Sequence, residues 1–448
     1  MSEPASHGRL RTRRERLRLH LRARRTWRMG VLVAVASLAG VAAALFARLC
    51  DTAMAAHARL YALSPWATLL LLPAGFVGVA ALTRGFAPEA AGSGIPQVIA
   101  AAHQRWRGRW GGQRVTLRTA AWKAALTAGV LLCGGSIGRE GPTVQVVAGI
   151  VRTLTRGLKG GPGRRAIIIA GGAAGVSAAF NTPIAGIVFG VEELAHGFDS
   201  RTHTAVILVV VAAGFAAYAL QGNYAYFGVL SADARLGPAW VAAPLIGLVG
   251  GVAGGVFSRA LVALIGPGAN PVSVWRRAHP LLFALGCGLV AAAVAAVTGG
   301  ATFGAGYAEA KSLIADHPGR GAGFALAKGI ASLAASASGA PGGIFAPSLA
   351  TGAGIGAAFT KLGLHVAGRD AVVLGMTSYL SGVVQAPLTS AVILMEMTRD
   401  PGLVGPLLLA ALLARWASGW VMPEPIYHVL SRAWRAPERP REPEVALA

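Results

Sequence analysis

The sequence predicts an all-α integral membrane protein whose tilted and broken helices are arranged as two repeats. Three observations support this fold class. The 448-residue chain is 54% hydrophobic and only 13% charged. Apolar runs recur along its whole length, as in proteins whose helices cross a bilayer several times. Glycine and proline interrupt several of these runs, and the second half of the chain repeats features of the first.

Long apolar runs mark the candidate membrane helices, because about 20 predominantly apolar residues are needed to span a bilayer. Several of the runs contain glycine or polar residues, so we expect broken and tilted helices rather than uniform spans. The runs are Met29–Cys50, Ala205–Gln221, Ala239–Ile265, Pro280–Thr298 and Leu403–Val421.

The net charge of +23 is concentrated outside the apolar runs. Ten arginines lie between Arg9 and Arg28, and residues 1–28 are predicted to form a basic cytoplasmic arm. A nucleic-acid-binding role is disfavoured, because the arm has a single aromatic residue, Trp27, and the apolar remainder is not a soluble domain. Positive flanks of this kind follow the positive-inside rule and contact anionic lipid. Both termini are therefore predicted to be cytoplasmic, and residues 423–448 to form a C-terminal helix and tail.

No cofactor or metal site is expected from the sequence. The three cysteines, Cys50, Cys133 and Cys287, are isolated, and the ten histidines show no metal-ligand spacing. The chain is not predicted to be an enzyme.

An acidic residue, Glu140, lies inside the apolar segment Thr119–Val151. Basic stretches at Arg105–Arg118 and Arg152–Arg165 flank this segment, and if both are cytoplasmic the chain must enter the membrane and return between them. Glu140 is then at the start of a return helix, where free N–H groups and the helix dipole attract anions. The carboxylate would occupy a position that another anion favours. The alternative is a loop glutamate outside the membrane.

The two halves of the chain match with a shift of 204 to 205 residues. This repeat predicts a two-fold membrane architecture, with repeat 1 at residues 29–230, repeat 2 at residues 231–422 and a boundary at Ser231–Pro238. Transporters built in this way bind substrate near the midplane, between the ends of discontinuous helices. Glu396, the equivalent of Glu192, is expected to bond a facing helix. The matched positions are Asn181–Ile184 with Gln385–Leu388, Gly138 with Gly343, Pro142 with Pro347, and Gly149 with Gly354.

The segment Gly134–Gly138 fits the G-x-S-x-G nucleophile pattern of serine hydrolases, with Ser136 as the serine. No strand is predicted before it, and no histidine or aspartate partner is obvious. An intramembrane serine hydrolase is therefore a remote alternative.

Three short motifs resemble the selectivity-filter motifs of the CLC chloride channel and transporter family, and they occur in the family's order. A later segment, Pro425–Tyr427, resembles the family's filter tyrosine, and the resemblance covers residues 29–431. It implies two inverted-topology repeats, a homodimer, and a bacterial type located in the inner membrane. The motifs are Gly92-Ser93-Gly94-Ile95-Pro96, Gly138-Arg139-Glu140-Gly141-Pro142 and Gly343-Ile344-Phe345-Ala346-Pro347.

The resemblance also implies roles for individual residues. Ser93 and Tyr427 match the residues whose hydroxyls contact bound chloride, and Ile344 and Phe345 match the pair whose backbone N–H groups coordinate it. Glu140 matches the outer gating glutamate. Glu193 matches the inner proton-transfer glutamate of exchangers, which channel members typically lack.

These assignments predict chloride transport as a proton-coupled chloride/proton antiporter gated by Glu140. A passive chloride channel of the same fold, gated by voltage or pH, is the alternative, and Glu193 favours the antiporter. The form of the first motif and Tyr427 disfavour the fluoride-exporting branch. The predicted partners are chloride, protons, membrane lipid and a second copy of the chain.

Overall fold

A computed structural model describes residues 5–103, 114–158, 162–195, 203–222, 226–228, 237–266, 268, 270–315, 321–362 and 366–435. Within these residues the chain forms 18 α-helices and no named strand. Short 3₁₀ or π-helical turns lie between some of them. The helices are α1 (Ala5–Leu63), α2 (Pro65–Phe86), α3 (Ile95–His103), α4 (Leu117–Leu132), α5 (Glu140–Leu154), α6 (Arg164–Phe180), α7 (Pro183–Phe189), α8 (His203–Gln221), α9 (Pro238–Ile265), α10 (Pro271–Ala278), α11 (Pro280–Val297), α12 (Tyr307–Ile314), α13 (Gly321–Ala337), α14 (Phe345–Phe359), α15 (Gly368–Val384), α16 (Pro387–Thr398), α17 (Val404–Val421) and α18 (Ile426–Arg432).

Every predicted apolar run coincides with a helix. Within the described residues, six helical segments are long and apolar enough to cross a membrane, and they lie in α1, α2, α8, α9, α11 and α17. Helix α1 passes through residues 28 and 29 without a break, so the basic arm and the first span share one helix. The predicted boundary between the repeats, Ser231–Pro238, lies mostly outside the described residues.

The predicted repeat is present in the helices themselves. Helices α5 and α14 each have 15 residues and begin at Glu140 and Phe345, and α6 and α15 each have 17 residues. Both α6 and α15 end at a residue with a left-handed backbone, Asn181 and Gln385, at φ 59° in each case. A proline begins the next helix in both halves, because proline is well suited to a first helical turn. The two halves therefore fold in the same way.

Two acidic side chains join the halves reciprocally. Glu192 accepts hydrogen bonds from the backbone N–H groups of Leu388 and Thr389 in the first turn of α16, at 3.1 and 2.7 Å. Glu396 accepts from Ile184 and Ala185 in the first turn of α7, at 3.2 and 2.7 Å. Each carboxylate satisfies N–H groups that a helix leaves unpaired. The prediction that Glu396 bonds a facing helix is confirmed.

Glycine allows α9 to approach α15 closely. A Cβ atom at Gly254 would lie 2.7 Å from Gly382 C and from Val383 N, both backbone atoms that cannot rotate away. Small residues at such contacts let membrane helices pack backbone to backbone. The interface between these helices therefore depends on the absence of a side chain at residue 254.

We expect the substitution Gly254→Ala to lower the melting temperature of the detergent-solubilised protein by several degrees. Overpacking a tight contact costs about 1–3 kcal/mol. Thermal unfolding followed by gel filtration measures the change. Gly286→Ala in α11 is the matched control, because nothing lies within 4 Å of its added Cβ. Equal melting temperatures for the two variants would contradict the packing argument.

Candidate functional site: a buried pocket between half-helices

The three glycine- and proline-rich motifs meet at one place. Gly138 and Gly343 exchange two backbone hydrogen bonds of 2.7 and 2.8 Å, as an antiparallel pair does. Gly92 donates to the Ala340 carbonyl at 3.3 Å and accepts from the Gly342 N–H at 3.0 Å. Segments that are about 50 to 250 residues apart in sequence thus form one backbone junction. Helices α3, α5 and α14 all begin close to it.

Glycine is required around this junction for two reasons. Gly92 and Gly94 have φ of 64° and 101°, a region that side chains with a Cβ rarely adopt, and between them they direct Ser93 toward α5. At Gly141, a Cβ would lie 2.9 Å from Ser93 O and 3.3 Å from Gly343 Cα. The first turn of α5 therefore touches both other motifs.

Glu140 is the first residue of α5, and its side chain is 1% exposed. Its Oε1 accepts a hydrogen bond of 2.6 Å from the Tyr307 hydroxyl. The carboxylate also faces the backbone N–H groups of Glu140 itself and of Ala346, at the amino ends of α5 and α14. Oε2 has no well-formed hydrogen bond among the described residues. Glu140 therefore lies at a helix start and is buried, which agrees with the predicted acid at a helix start and not with an exposed loop glutamate.

Two buried hydroxyls lie beside the same junction. Tyr427, in α18, is fully buried, and its ring stacks on Phe345 with centroids 6.1 Å apart and an angle of 12°. Its hydroxyl faces that of Ser93. Neither hydroxyl has a partner of regular geometry in the described part of the chain. Buried hydroxyls normally have a partner, so this pair is available to donate to an anion.

The amino end of α14 completes the pocket. Ile344 precedes the helix and Phe345 is its first residue, so the helix leaves their N–H groups without intrahelical partners. Hydroxyls, backbone N–H groups and two helix dipoles converge here, and they supply partial positive charge rather than a full cation. Such a pocket can bind a small anion and still release it.

A cavity of about 640 Å³ lies next to Glu140 and is lined by its neighbour Arg139 and by Tyr307. Arg139 donates hydrogen bonds to Ala47 O at 2.7 Å and to the Tyr226 hydroxyl at 2.9 Å. It also forms an ion pair with Asp51 at 2.5 Å. These contacts tie the second motif to α1 and fix the guanidinium group beside the cavity.

Two buried lysines hold the loops around the pocket in place. Lys123 Nζ donates to the carbonyls of Ala90 and Gly92 at 2.7 and 2.6 Å. Lys328 Nζ donates to the carbonyls of Thr302 and Gly304 at 2.9 and 2.7 Å. The two lysines are 205 residues apart, so they occupy equivalent positions in the two repeats. Each orders a loop that precedes a short helix.

Glu193 lies in the π-helical turn that follows α7. It is 3% exposed, and its Oε1 is 3.5 Å from His428 Nε2, on the residue that follows Tyr427. The alternative that Glu192 and Glu193 form a solvated helix end is wrong, since Glu193 is buried and Glu192 caps α16.

Sequence reasoning found the motif residues and missed four others: Tyr307, Tyr226, Lys328 and His428. Lys328 could have been found by applying the repeat shift to Lys123. The other three carry no local signal, because their importance arises from partners far away in the sequence.

Ser136, the residue of the hydrolase alternative, is buried and hydrogen-bonds to the Ser332 hydroxyl at 3.0 Å. No histidine or acidic side chain bonds to it within the described residues. The arrangement gives the hydrolase alternative no support.

Comparisons with known proteins identify a matching family and several similar folds. The family model described as "Voltage gated chloride channel" matches residues 75–419. The fold is similar to that of a slow cyanobacterial Cl⁻/H⁺ antiporter, with 23% identity and a TM-score of 0.77 over 91% of this chain and 97% of that chain. The fold is also similar to that of a CLC-type fluoride/proton antiporter, with 21% identity and a TM-score of 0.75 over 90% of this chain and 98% of that chain. A eukaryotic CLC transporter has 21% identity and a TM-score of 0.71 over 90% of this chain and 74% of that chain.

The fold and the pocket define a multi-pass membrane protein with a buried polar pocket between half-helices of two inverted repeats. The chain belongs to the voltage-gated chloride channel family, also called the CLC family, which is a family of ion transporters and channels rather than of enzymes.

Proposed function

We propose that the protein is a chloride/proton antiporter in which Glu140 gates the chloride pathway. One observation carries the proposal. The Glu140 carboxylate lies buried between the amino ends of α5 and α14, in the position that a small anion would favour. The Ser93 and Tyr427 hydroxyls lie beside the same junction, without a partner of regular geometry among the described residues.

The mechanism follows from competition between two anions. Deprotonated Glu140 carries the same charge as chloride and blocks the pocket. Protonation removes that charge, so the side chain loses its attraction to the N–H groups and chloride can enter. Ser93, Tyr427 and the N–H groups of Ile344 and Phe345 then replace the water of the ion. Proton binding and chloride binding are thereby linked through one side chain.

Glu193 is proposed as the inner proton-transfer residue. It is buried and separate from the Glu140 pocket, so protons would reach Glu140 by a route distinct from that of chloride at the cytoplasmic side. A buried acid in a membrane protein is costly and usually functional. This residue favours antiport over passive conduction.

Reconstitution tests the proposal. Purified protein in proteoliposomes, given an inward chloride gradient at uniform pH, should drive protons out of the vesicles against their resulting gradient, recorded with a pH-sensitive dye and a chloride electrode. Empty vesicles are the control. Chloride movement without proton movement would show the passive channel instead. Fluoride movement in preference to chloride would refute the assignment of the substrate.

We also propose a homodimer in the bacterial inner membrane with both termini cytoplasmic. The basic flanks support this orientation. Exposed apolar side chains on four neighbouring helices, α7, α8, α16 and α17, support the dimer, among them Ile184 at 53% and its repeat equivalent Leu388 at 48%. A monomeric mass for the detergent-solubilised protein by light scattering would refute the dimer.

A further inference from the structure

The hydrogen bond from Tyr307 to Glu140 is a short contact to the proposed gate. It joins the phenolic oxygen to Oε1 at 2.6 Å, the distance of a charge-assisted O–H···O⁻ bond. Tyr307 also lines the cavity of about 640 Å³, and the residue is partly exposed. The tyrosine therefore connects the Glu140 carboxylate with this cavity.

The position of Tyr307 is determined by the packing around it. The residue begins α12 and follows Gly306, whose φ is 83°. Lys328 binds the carbonyls of Thr302 and Gly304 just before this turn. A Cβ at Gly306 would lie 2.6 Å from Ala350 Cβ, so the turn packs directly on α14. The hydroxyl is thus held relative to the half-helix that forms the pocket.

Aromatic contacts restrict the ring as well. The Tyr226 ring lies 4.5 Å from that of Tyr307 between centroids, and the Phe227 ring lies at 6.1 Å. Tyr226 in turn receives the hydrogen bond from Arg139. The phenol is therefore aimed at Glu140 by both its backbone and its ring, and a side chain fixed in this way loses little entropy when it bonds.

We propose that Tyr307 is a positioning residue that holds the Glu140 carboxylate in the closed position, so that chloride competes against the carboxylate and this hydrogen bond together. The inference rests on the proposed function, in which Glu140 and chloride exclude each other. The bond is made only while the carboxylate occupies the pocket, and it is lost when the side chain leaves.

Protonation weakens this hold. A hydrogen bond to an ionised acceptor is roughly twice as strong as one between neutral groups. The Tyr307 bond therefore stabilises the closed position chiefly when Glu140 is charged, and proton binding releases the side chain from the pocket and from the phenol in one step. Tyr307 therefore increases the difference that protonation makes to the stability of the closed position.

Chloride titration by isothermal calorimetry tests the inference on the purified full-length protein. Tyr307→Phe removes the hydroxyl and keeps the ring, and we expect apparent chloride binding about tenfold tighter, the effect of losing one charge-assisted bond from the competitor. In the Glu140→Gln background the same substitution should change chloride binding less than about twofold, because no carboxylate remains to be held. A structural role alone would give equal effects in both backgrounds.

Tyr379→Phe is the matched control. Tyr379 is a buried tyrosine in α15 whose ring packs on Phe257, so the chloride affinity of this variant should equal that of the unmodified protein. If Tyr307→Phe fails to give a single gel-filtration peak, Tyr307→Leu also lacks the hydroxyl and should shift affinity in the same direction. Unchanged affinity in a folded hydroxyl-less variant, or an equal shift in the Glu140→Gln background, would overturn the inference.

The two proposals fail separately. A protein that moves chloride without protons would refute antiport, yet the Tyr307 effect on chloride binding would still be expected in a channel gated by Glu140. A working antiporter with no Tyr307 effect would refute only the positioning role.

Discussion

Replacing Glu140 by glutamine is expected to abolish proton movement in proteoliposomes while chloride continues to cross. Glutamine has nearly the same shape as glutamate, but its amide does not take up and release a proton and has no negative charge. It therefore cannot take part in proton transfer and does not compete with chloride for the N–H groups of the pocket. Chloride flux should also lose its dependence on pH. Paired recordings of chloride efflux and vesicle pH measure both effects.

Glu424→Gln is the matched control for this substitution. Glu424 is half exposed and pairs with the surface residue Arg432 of the C-terminal helix, so its variant should keep both ion movements. Proton transport that persists in the Glu140→Gln protein would contradict the role of Glu140 as the gate.

The second large effect is expected at Glu193. Glu193→Gln should reduce proton movement to the level of empty vesicles, because a glutamine cannot accept and release the proton at the inner end of the route. Chloride flux should persist and should stay sensitive to external pH, since Glu140 still competes with chloride. This sensitivity distinguishes the variant from Glu140→Gln, and the same pair of recordings at several external pH values measures it.

The Glu193 substitution also tests whether this residue belongs to the proton route. Unchanged proton coupling in the Glu193→Gln protein would exclude this residue from the proton route. Loss of both ion movements together would instead indicate damage to the α7 region, and a normal gel-filtration profile is needed before the result is interpreted. Glu424→Gln again provides the control.

Much of the fold was predictable because its signals are local. An apolar run of sufficient length must be a helix in a bilayer, since backbone groups have no other partners there, and each predicted run is a helix. Proline after Asn181 and Gln385 marks where two spans break. A few matched residues indicated the shift between the two halves, and the structure has helices of equal length at the matched positions, α5 with α14 and α6 with α15.

The site was predictable in part. The motifs indicated where half-helices begin, and α5 and α14 do begin at Glu140 and Phe345. The burial of Glu140 follows from its apolar surroundings in the sequence. No pattern indicated that Arg139 would pair with Asp51 in α1, because the two belong to segments whose contact depends on helix packing.

The sequence by itself determined the class of protein, the helix starts and the chemical groups that form the anion pocket, because hydropathy, glycine and proline act within a few residues. Only the tertiary structure decided which distant groups meet there. Tyr307 reaches Glu140 across 167 positions of sequence, and Lys328 holds the loop that aims it. Such contacts depend on how the two repeats stack, and the free energy of that stacking is spread over the whole interior rather than recorded in any one motif.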